Sequence, residues 1–178
     1  MFSLSMLNYF DNITAIDACI ENIDISNQYL ENNKGSIENK NKTIIYENIL
    51  IEDIVKQNRK YDIITCLEVI EHVNNPLKFV ENIAKSLNSG GIAIFSTINR
   101  NSKSYMEAII ASEYILGFTK IGTHEYKKMI KPSELNSFAK NFNMDLVDIK
   151  GMSFDPANKQ FFLSDDVRVN YFISFMKN

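Results

Sequence analysis

Apolar and polar positions follow two alternating patterns along the chain. Short apolar runs are typical of strands, and longer amphipathic segments are typical of helices. The strand-like runs are NITAID, KTIIYEN, KYDIITCLEV and IAIFSTIN, and the helix-like segments between them are CIENIDISNQYLENN, LIEDIVKQN and NPLKFVENIAKSLNSGG. This order predicts parallel βαβ units in a single sheet covered by helices on both faces. The run in KYDIITCLEV is typical of a central, buried strand.

Turn and capping residues set the predicted ends of several elements. Pro76 lies near the start of one helix and Gly90-Gly91 is its expected stop signal. The segment KPSELNSFAKNFN is predicted to be a helix opened by Pro132 and capped by Ser133. We predict the end of a helix in MFSLSMLNYF and an amphipathic helix in SYMEAIIASEYILGF. We also predict that the sheet is closed by an antiparallel pair of strands, MDLVDIKGMSF and VRVNYFISFMKN.

Composition narrows the class of protein. A length of 178 residues fits one domain. A net charge of −3 and a pI near 5.5 argue against a broad basic surface, so we expect no nucleic-acid partner. The two cysteines, Cys19 and Cys66, form no C-x-x-C pair and are expected to be buried thiols in a reducing compartment. The first 35 residues are acidic and not Arg-rich, so we expect no import or secretion signal.

The first candidate for chemistry is Asp17, at the end of a predicted strand. In doubly wound sheets the ligand lies beyond the carboxyl ends of the strands. An acidic residue at the end of the second strand of such a fold accepts hydrogen bonds from a ribose diol. Asp is also a preferred helix N-cap, and the residue alone does not decide between the two interpretations.

The second candidate is the segment YDIITCLEVIEHV. Glu68, Glu71 and His72 share one helical face if the turn after the strand is helical. Two close carboxylates with an imidazole suit Mg²⁺, or else His72 takes a proton from a substrate hydroxyl. The alternative is a solvated first helical turn, where the helix dipole favours acidic residues.

Several segments together resemble one family, the ubiquinone-biosynthesis O-methyltransferases, within the class I S-adenosylmethionine-dependent methyltransferases. The segments STINRN, SEYILG and GTHEYKKMIKP are specific to this branch, whereas Asp17 and LNSGGIAI are shared by many methyltransferases. The resemblance implies a Rossmann-like class I methyltransferase sheet. It also implies transfer of a methyl group from S-adenosylmethionine to phenolic hydroxyls of polyprenyl catechols, namely 2-polyprenyl-6-hydroxyphenol and 3-demethylubiquinol.

The resemblance also assigns roles to individual residues. Asp17 resembles the ribose ligand and Leu67 the residue that lines the adenine pocket. Glu68, Glu71 and His72 match the proposed magnesium ligands of the family, and His72 is the candidate catalytic base. A catechol chelated by the metal would be both deprotonated and aligned.

The insertion of residues 99–131 corresponds to the substrate side of the family. Its apolar helix, followed by lysines, suits contact with anionic lipid, because a polyprenyl substrate lies in the bilayer. Packing of that helix on the sheet is an equally good interpretation of the sequence. The implied location is the bacterial cytoplasm at the periphery of the inner membrane, with other ubiquinone-biosynthesis proteins as further partners.

One family feature is not found in the sequence. The glycine-rich loop of the D-x-G-C-G-x-G type lies roughly 20 residues before the ribose-binding acid. With Asp17 as that acid, the loop and its strand would fall at or before Met1. In the family that strand lies between the strands that end at Asp17 and Thr65, so its loss is expected to leave two exposed edges. We therefore expect a single, N-terminally truncated methyltransferase domain over residues 1–178 that binds the cofactor weakly or not at all. The alternative function is a non-catalytic remnant of the family.

Overall fold

The structure is a computed structural model that describes residues 2–33, 42–104, 125–155, 158 and 160–178. The chain divides into two compact units, Met1–Asn58 and Arg59–Asn178. Of the described helices, none is both long and apolar enough to cross a bilayer.

The first unit alternates helices and strands as predicted. Strands β1 and β2 form a two-stranded parallel sheet, with Ile13 opposite Ile44 and Ala15 opposite Tyr46. The predicted βαβ unit is thereby confirmed. The elements of this unit are α1 (Phe2–Met6), β1 (Asn12–Ile16), α2 (Ile20–Asn32), β2 (Thr43–Glu47) and α3 (Ile51–Lys56).

The second unit contains a five-stranded mixed sheet in the order β3-β4-β7-β5-β6. Strands β3 and β4 are parallel, and the other neighbours are antiparallel. The predicted antiparallel pair is confirmed as β5 and β7, and β6 is an additional strand. The elements are β3 (Tyr61–Leu67), a 3₁₀ turn (Ile70–His72), α4 (Pro76–Ser86), β4 (Leu87–Ile98), α5 (Ser102–Ser104), a second 3₁₀ turn (Tyr126–Lys128), α6 (Pro132–Lys140), β5 (Met144–Asp155), β6 (Gln160–Ser164) and β7 (Asn170–Lys177).

Two expectations drawn from the apolar pattern of the strands are wrong, whereas the exposed edge expected for the strand that contains Thr65 is confirmed. The described strands form two sheets and not one, and β3 is an edge strand that pairs with β4 alone among them. Its Ile63 side chain is 40% exposed, so β3 is not buried along its whole length as expected. An apolar run reports the character of the side chains, whereas the number of neighbouring strands depends on the rest of the fold.

The end of α4 also differs from the prediction. The helix ends at Ser86, and Gly90-Gly91 lie inside β4, because Leu87 already pairs with β3. Gly90 has φ +77°, a left-handed conformation that favours glycine. A Cβ on Gly91 would lie 3.1 Å from the Asp62 carbonyl oxygen. The glycines therefore serve a bend in the strand and not a helix stop.

The start of α6 needs a similar correction. Pro132 is in the first turn as expected, but the N-cap residue is Lys131 and not Ser133. The Glu134 carboxylate accepts a hydrogen bond from the backbone N–H of Lys131 at 3.0 Å. Ser133 lies inside the helix, where its carbonyl oxygen accepts from the Ser137 hydroxyl. The acidic residue three positions into the helix satisfies the free N–H in place of a capping hydroxyl.

The core of the second unit lies on one face of its sheet. Phe95 on β4 and Phe175 on β7 are fully buried and meet edge to face, with ring centroids 6.1 Å apart. Helix α4 packs on β4, α6 packs on β5, and the two helices contact each other. Burial of Val80 and Leu135 on these helices completes one hydrophobic layer. This layer holds the carboxyl ends of β3 and β4 in place.

The cysteines differ from each other. Cys66 on β3 is buried, as expected, but Cys19 is exposed, and both are free thiols. The expectation of two buried thiols is wrong for Cys19, because it precedes α2 at a helix end and not within the sheet. The predicted helix SYMEAIIASEYILGF falls almost wholly outside the described residues, apart from its first residue in α5.

Candidate functional site

The carboxyl ends of β3 and β4 bring Glu68 against Ser96. Leu67 pairs with Ser96 in the sheet, and the chain then turns at Glu68, which has φ +53°. The backbone N–H of Glu68 donates to the Ser96 carbonyl oxygen at 3.0 Å, and the Ser96 hydroxyl donates to Glu68 Oε1 at 2.6 Å. These contacts fix Glu68 in a left-handed conformation that residues other than glycine seldom adopt.

Glu71 lies deeper, in the 3₁₀ turn that follows. Its side chain is 6% exposed, and the hydroxyl of the fully buried Thr97 donates to Glu71 Oε2 at 2.9 Å. Burial raises the pKa of Glu71 to about 7, and the neighbouring Glu68 carboxylate also disfavours its ionised form. The turn therefore holds a carboxyl group that titrates near neutral pH.

Two further titratable groups, the Cys66 thiol and the Tyr171 hydroxyl, are buried in the core of the second unit. Burial raises the pKa of the Cys66 thiol to about 12, and the charges of Glu71 and Glu68 add to this. Burial likewise raises the pKa of Tyr171, which lies opposite Thr97 on β7 and donates from its hydroxyl to the Ile130 carbonyl oxygen at 3.0 Å. The interior behind the turn therefore keeps its thiol and phenol protonated.

The structure separates His72 from Glu71. Glu71 is buried against β4, whereas His72, its neighbour in the 3₁₀ turn, is exposed. Glu68 precedes the turn, so the condition for one shared helical face is not met. Within the described ranges, no group of three or more His, Cys, Asp or Glu side chains is arranged to hold a metal ion. The three residues as placed do not form one three-ligand group, and the magnesium site stays a prediction from the resemblance.

Leu67 and Asp17 both lie where a ligand of a doubly wound sheet is expected. Leu67 is the last residue of β3 and is half-buried. Asp17 directly follows β1 and is also half-buried. These are the positions that the sequence predicts for contacts with adenine and ribose, and those roles stay predictions.

The carboxylate of Asp17 already has local partners. Its Oδ1 accepts from the backbone N–H of Cys19 at 2.8 Å, and its Oδ2 accepts from the side-chain amide of Asn22 at 3.1 Å. The amide of Asn48 donates to the Asp17 carbonyl oxygen at 2.9 Å. Asp17 thus closes the turn into α2, whose N-cap residue is Cys19. A carboxylate has about four acceptor positions, so these bonds leave room for a ribose diol.

The segment STINRN, at the end of β4, supplies groups to which the sequence assigned no role. The hydroxyls of Ser96 and Thr97 donate hydrogen bonds to the carboxyl groups of Glu68 and Glu71, respectively. In the sequence, two adjacent hydroxyl residues near the end of a predicted strand are the feature that could have indicated this role. The Asn99 amide donates to the Val167 carbonyl oxygen at 2.9 Å, and the Asn101 amide donates to the Arg168 carbonyl oxygen at 2.6 Å. The segment therefore fixes the carboxyl end of β4 against the β6–β7 turn.

Comparison with known proteins adds the family. A methyltransferase-domain family profile matches residues 2–149. The chain is 42% identical over 168 residues to the ubiquinone biosynthesis O-methyltransferase of Rickettsia bellii (strain OSU 85-389), covering 94% of this chain and 67% of that protein. It is 40% identical over 162 residues to the protein of the same name from Rickettsia conorii, covering 91% of this chain and 53% of that protein. The chain thus spans between about half and two thirds of the length of these relatives.

Solved structures agree on the fold. The magnesium protoporphyrin IX methyltransferase of Synechocystis PCC 6803, solved with bound SAH, matches with a TM-score of 0.65 at 12% identity over 99% of this chain and 68% of that one. A putative methyltransferase of Bacillus halodurans matches with a TM-score of 0.64 at 13% identity, over 97% of this chain and 86% of that one. At such identities the likeness shows the class I methyltransferase fold alone. Together with the identity to the Rickettsia proteins, it shows that the chain belongs to the ubiquinone biosynthesis O-methyltransferase family.

Proposed function

We propose that this chain is an S-adenosylmethionine-dependent O-methyltransferase that acts on phenolic hydroxyls of polyprenyl catechols in ubiquinone biosynthesis. The observation that carries the proposal is 42% identity over 94% of the chain to a protein named for this reaction. The substrates expected are 2-polyprenyl-6-hydroxyphenol and 3-demethylubiquinol, as the resemblance implies.

The proposed cofactor contacts are Asp17 with the ribose and Leu67 with the adenine. The support for Asp17 is its position directly after β1, with a half-buried carboxylate that keeps free acceptor positions. The support for Leu67 is its position at the carboxyl end of β3, where its side chain is half-buried. Both positions agree with ligand binding beyond the strand ends of such sheets.

The proposed reaction is an in-line transfer. The phenolic oxygen forms a bond to the methyl carbon as the bond from that carbon to the sulfonium breaks, which leaves S-adenosylhomocysteine. The phenolic proton passes to His72, whose exposed imidazole carries a ring nitrogen that can accept it. Because the described residues do not assemble a three-ligand metal site, no step is routed through a metal ion.

Contact with the membrane and with other ubiquinone-biosynthesis proteins belongs to this proposal as well. Residues 105–124 of the 99–131 insertion lie outside the described part of the chain. The support within the described part is the exposed lysines that follow, Lys127, Lys128 and Lys131. A basic cluster of this kind favours the anionic surface of a bacterial inner membrane.

A second candidate is a remnant of the family that has lost cofactor binding. The observation that favours it is that the sequence contains no D-x-G-C-G-x-G segment. In that loop the backbone approaches the cofactor so closely that a side chain would clash. The two candidates differ in whether the chain binds S-adenosylhomocysteine.

Calorimetric titration of the full chain with S-adenosylhomocysteine separates the candidates. The methyltransferase proposal requires binding in the micromolar range, which would refute the weak or absent binding expected from the missing glycine-rich loop. Asp17→Ala should weaken this binding about tenfold or more, because a charge-assisted bond to ribose is lost. Asp24→Ala, which removes an exposed carboxylate from α2, is the matched control and leaves affinity unchanged. Absence of binding by the unmodified chain would overturn the methyltransferase proposal and favour the remnant.

Turnover tests His72 independently of binding. With a soluble short-chain catechol and S-adenosylmethionine labelled in the methyl group, His72→Gln lowers kcat by about 10²-fold, the usual contribution of a general base. Affinity for S-adenosylhomocysteine stays unchanged. His124→Gln, which alters the other histidine of the chain, is the control. Unchanged turnover in His72→Gln would remove this residue as the proton acceptor.

A further inference from the structure

Strand β6 and the adjoining half of β5 form a hairpin with an unusually apolar surface. Phe161 and Leu163 are 68% and 66% exposed, and Phe154 and Phe162 are about half exposed. Phe154 lies opposite Phe161, with ring centroids 5.0 Å apart. Large apolar side chains clustered at this exposure are uncommon on a free surface and indicate an interaction site.

The same strand has an open edge. Within the described part of the chain, β6 pairs with β5 only and ends the five-stranded sheet. An edge strand offers unpaired backbone N–H and C=O groups to another strand. Apolar side chains project from both faces of this one, Phe161 and Leu163 on one face and Phe162 on the other. The charged or proline residues that usually protect such an edge are absent from Gln160–Ser164.

The strand is also complementary to itself. In an antiparallel pair centred on Phe162, Phe161 of one copy lies opposite Leu163 of the other, and Gln160 lies opposite Ser164. Apolar positions then meet apolar positions, and polar positions meet polar ones. On one face this continues the row that Phe154 and Phe161 begin in each hairpin.

Charge is compatible with the same arrangement. In the sequence, the strand is followed by Asp165. Antiparallel pairing brings the start of one strand to the end of the other. The Asp165 carboxylates of the two copies lie at opposite ends and do not repel each other. Each is already paired with Lys150 of its own chain at 2.7 Å.

We propose that two copies of this chain associate through β6, pairing antiparallel about Phe162 to form one continuous sheet. A closed two-fold contact of this kind uses the same surface on both copies. It satisfies the open backbone edge and partly covers Phe161, Phe162 and Leu163. A lipid surface is the competing occupant, but the exposed Asp165 directly after β6 disfavours contact of this hairpin with an anionic membrane.

Cysteine cross-linking tests the register. In the full chain with the exposed Cys19 replaced by serine, Phe162→Cys is expected to form a disulfide-linked dimer under mild oxidation. Residues directly opposite in antiparallel strands have Cα atoms about 4.5–5.5 Å apart, within the range that a disulfide spans. Val147→Cys, on an exposed part of β5, is the matched control and stays monomeric. Equal cross-linking of both variants would overturn the proposed register.

Sedimentation velocity tests the association without a cysteine. The unmodified chain is expected to sediment as a dimer at micromolar concentration, and Phe162→Asp is expected to raise the dimer dissociation constant at least about tenfold. Val147→Asp is the control that leaves it unchanged. A chain that remains monomeric at high concentration would overturn the proposal. So would flotation with phosphatidylglycerol vesicles that Phe161→Asp abolishes, because the hairpin would then be a lipid-binding surface.

Discussion

The turn after β1 and the turn after β3 occupy equivalent places at strand ends but are built from different contacts. Asp17 closes its turn mainly with Cys19 and Asn22, two and five residues further along the chain. Glu68 and Glu71 are held by Ser96 and Thr97, which lie 28 and 26 residues away on the next strand. The first turn is a local structure, whereas the second exists only when the sheet is assembled.

The two turns also differ in what they do to a carboxyl group. At Asp17 the half-buried carboxylate accepts hydrogen bonds from a backbone N–H and a side-chain amide. At Glu71 burial and a neighbouring carboxylate raise the pKa to about 7. The comparison shows that the depth at which the sheet places Glu71, and not its position near a strand end, sets its pKa.

The largest expected difference between the two turns is in the free energy of unfolding that each contributes. Thr97→Val removes the hydroxyl that donates to the buried Glu71 carboxyl, and we expect it to lower the free energy of unfolding by about 1–3 kcal/mol. Asp17→Ala removes two hydrogen bonds of the turn that precedes α2 and is expected to cost less, about 0.5–1 kcal/mol. Urea unfolding followed by circular dichroism measures both.

Thr65→Val is the matched control for Thr97→Val, because Thr65 is exposed on the neighbouring strand. It should change the free energy of unfolding by less than about 0.5 kcal/mol. If Asp17→Ala destabilised the chain more than Thr97→Val, the distinction between a local turn and an assembled one would be wrong.

The next effect is a dependence of stability on pH. The pKa of Glu71 rises from 4.5 to about 7 on folding, so the folded chain binds this proton more tightly than the unfolded chain. The associated stability is fully present below pH 4.5 and is lost as the pH rises through about 7. In buffer containing EDTA, Glu71→Gln should flatten the decline in the free energy of unfolding across this window.

Asp17→Asn is the comparison variant for the pH experiment. It changes a carboxyl group of the local turn, and the decline between pH 4.5 and about 7 should persist in it. A decline of the same size in Glu71→Gln would show that another group causes it.

The smallest effect is a difference in thiol reactivity that leaves stability unchanged. Cys19 beside the Asp17 turn is exposed, whereas Cys66 is buried on β3 with its pKa raised to about 12. At pH 8 the thiolate is the reactive form, so iodoacetamide should modify one thiol of the folded chain rapidly. Cys19→Ser should abolish this rapid phase. Mass spectrometry that found Cys66 modified first would contradict the assigned burial.

Much of the secondary structure could be predicted from the sequence because it depends on local patterns. The alternation of apolar runs and amphipathic segments predicted β1, α2, β2, α3, β3, α4 and β4 in the correct order. The exception within this range is the end of α4. There Leu87 pairs with β3 and converts the expected glycine stop into part of a strand, and no local signal reports such a pairing.

The candidate site could be predicted only in part. The positions of Asp17 directly after β1 and of Glu68 directly after β3 follow from periodicity, and the structure places them there. Leu67, the last residue of β3, is singled out by the family resemblance. The separation of the exposed His72 from the buried Glu71 depends on a 3₁₀ turn that the sequence pattern does not distinguish from an α-helical one.

The sequence by itself determined the family, the order of strands and helices, and the residue types at the strand ends. The tertiary structure decided which strands became edges, which carboxyl group is buried, and which hydroxyls it contacts. The physical reason is distance along the chain. Side-chain periodicity and capping act within a few residues, whereas burial and strand pairing join residues more than 20 positions apart. Those long-range contacts set the pKa of Glu71 and leave the edge of β6 open.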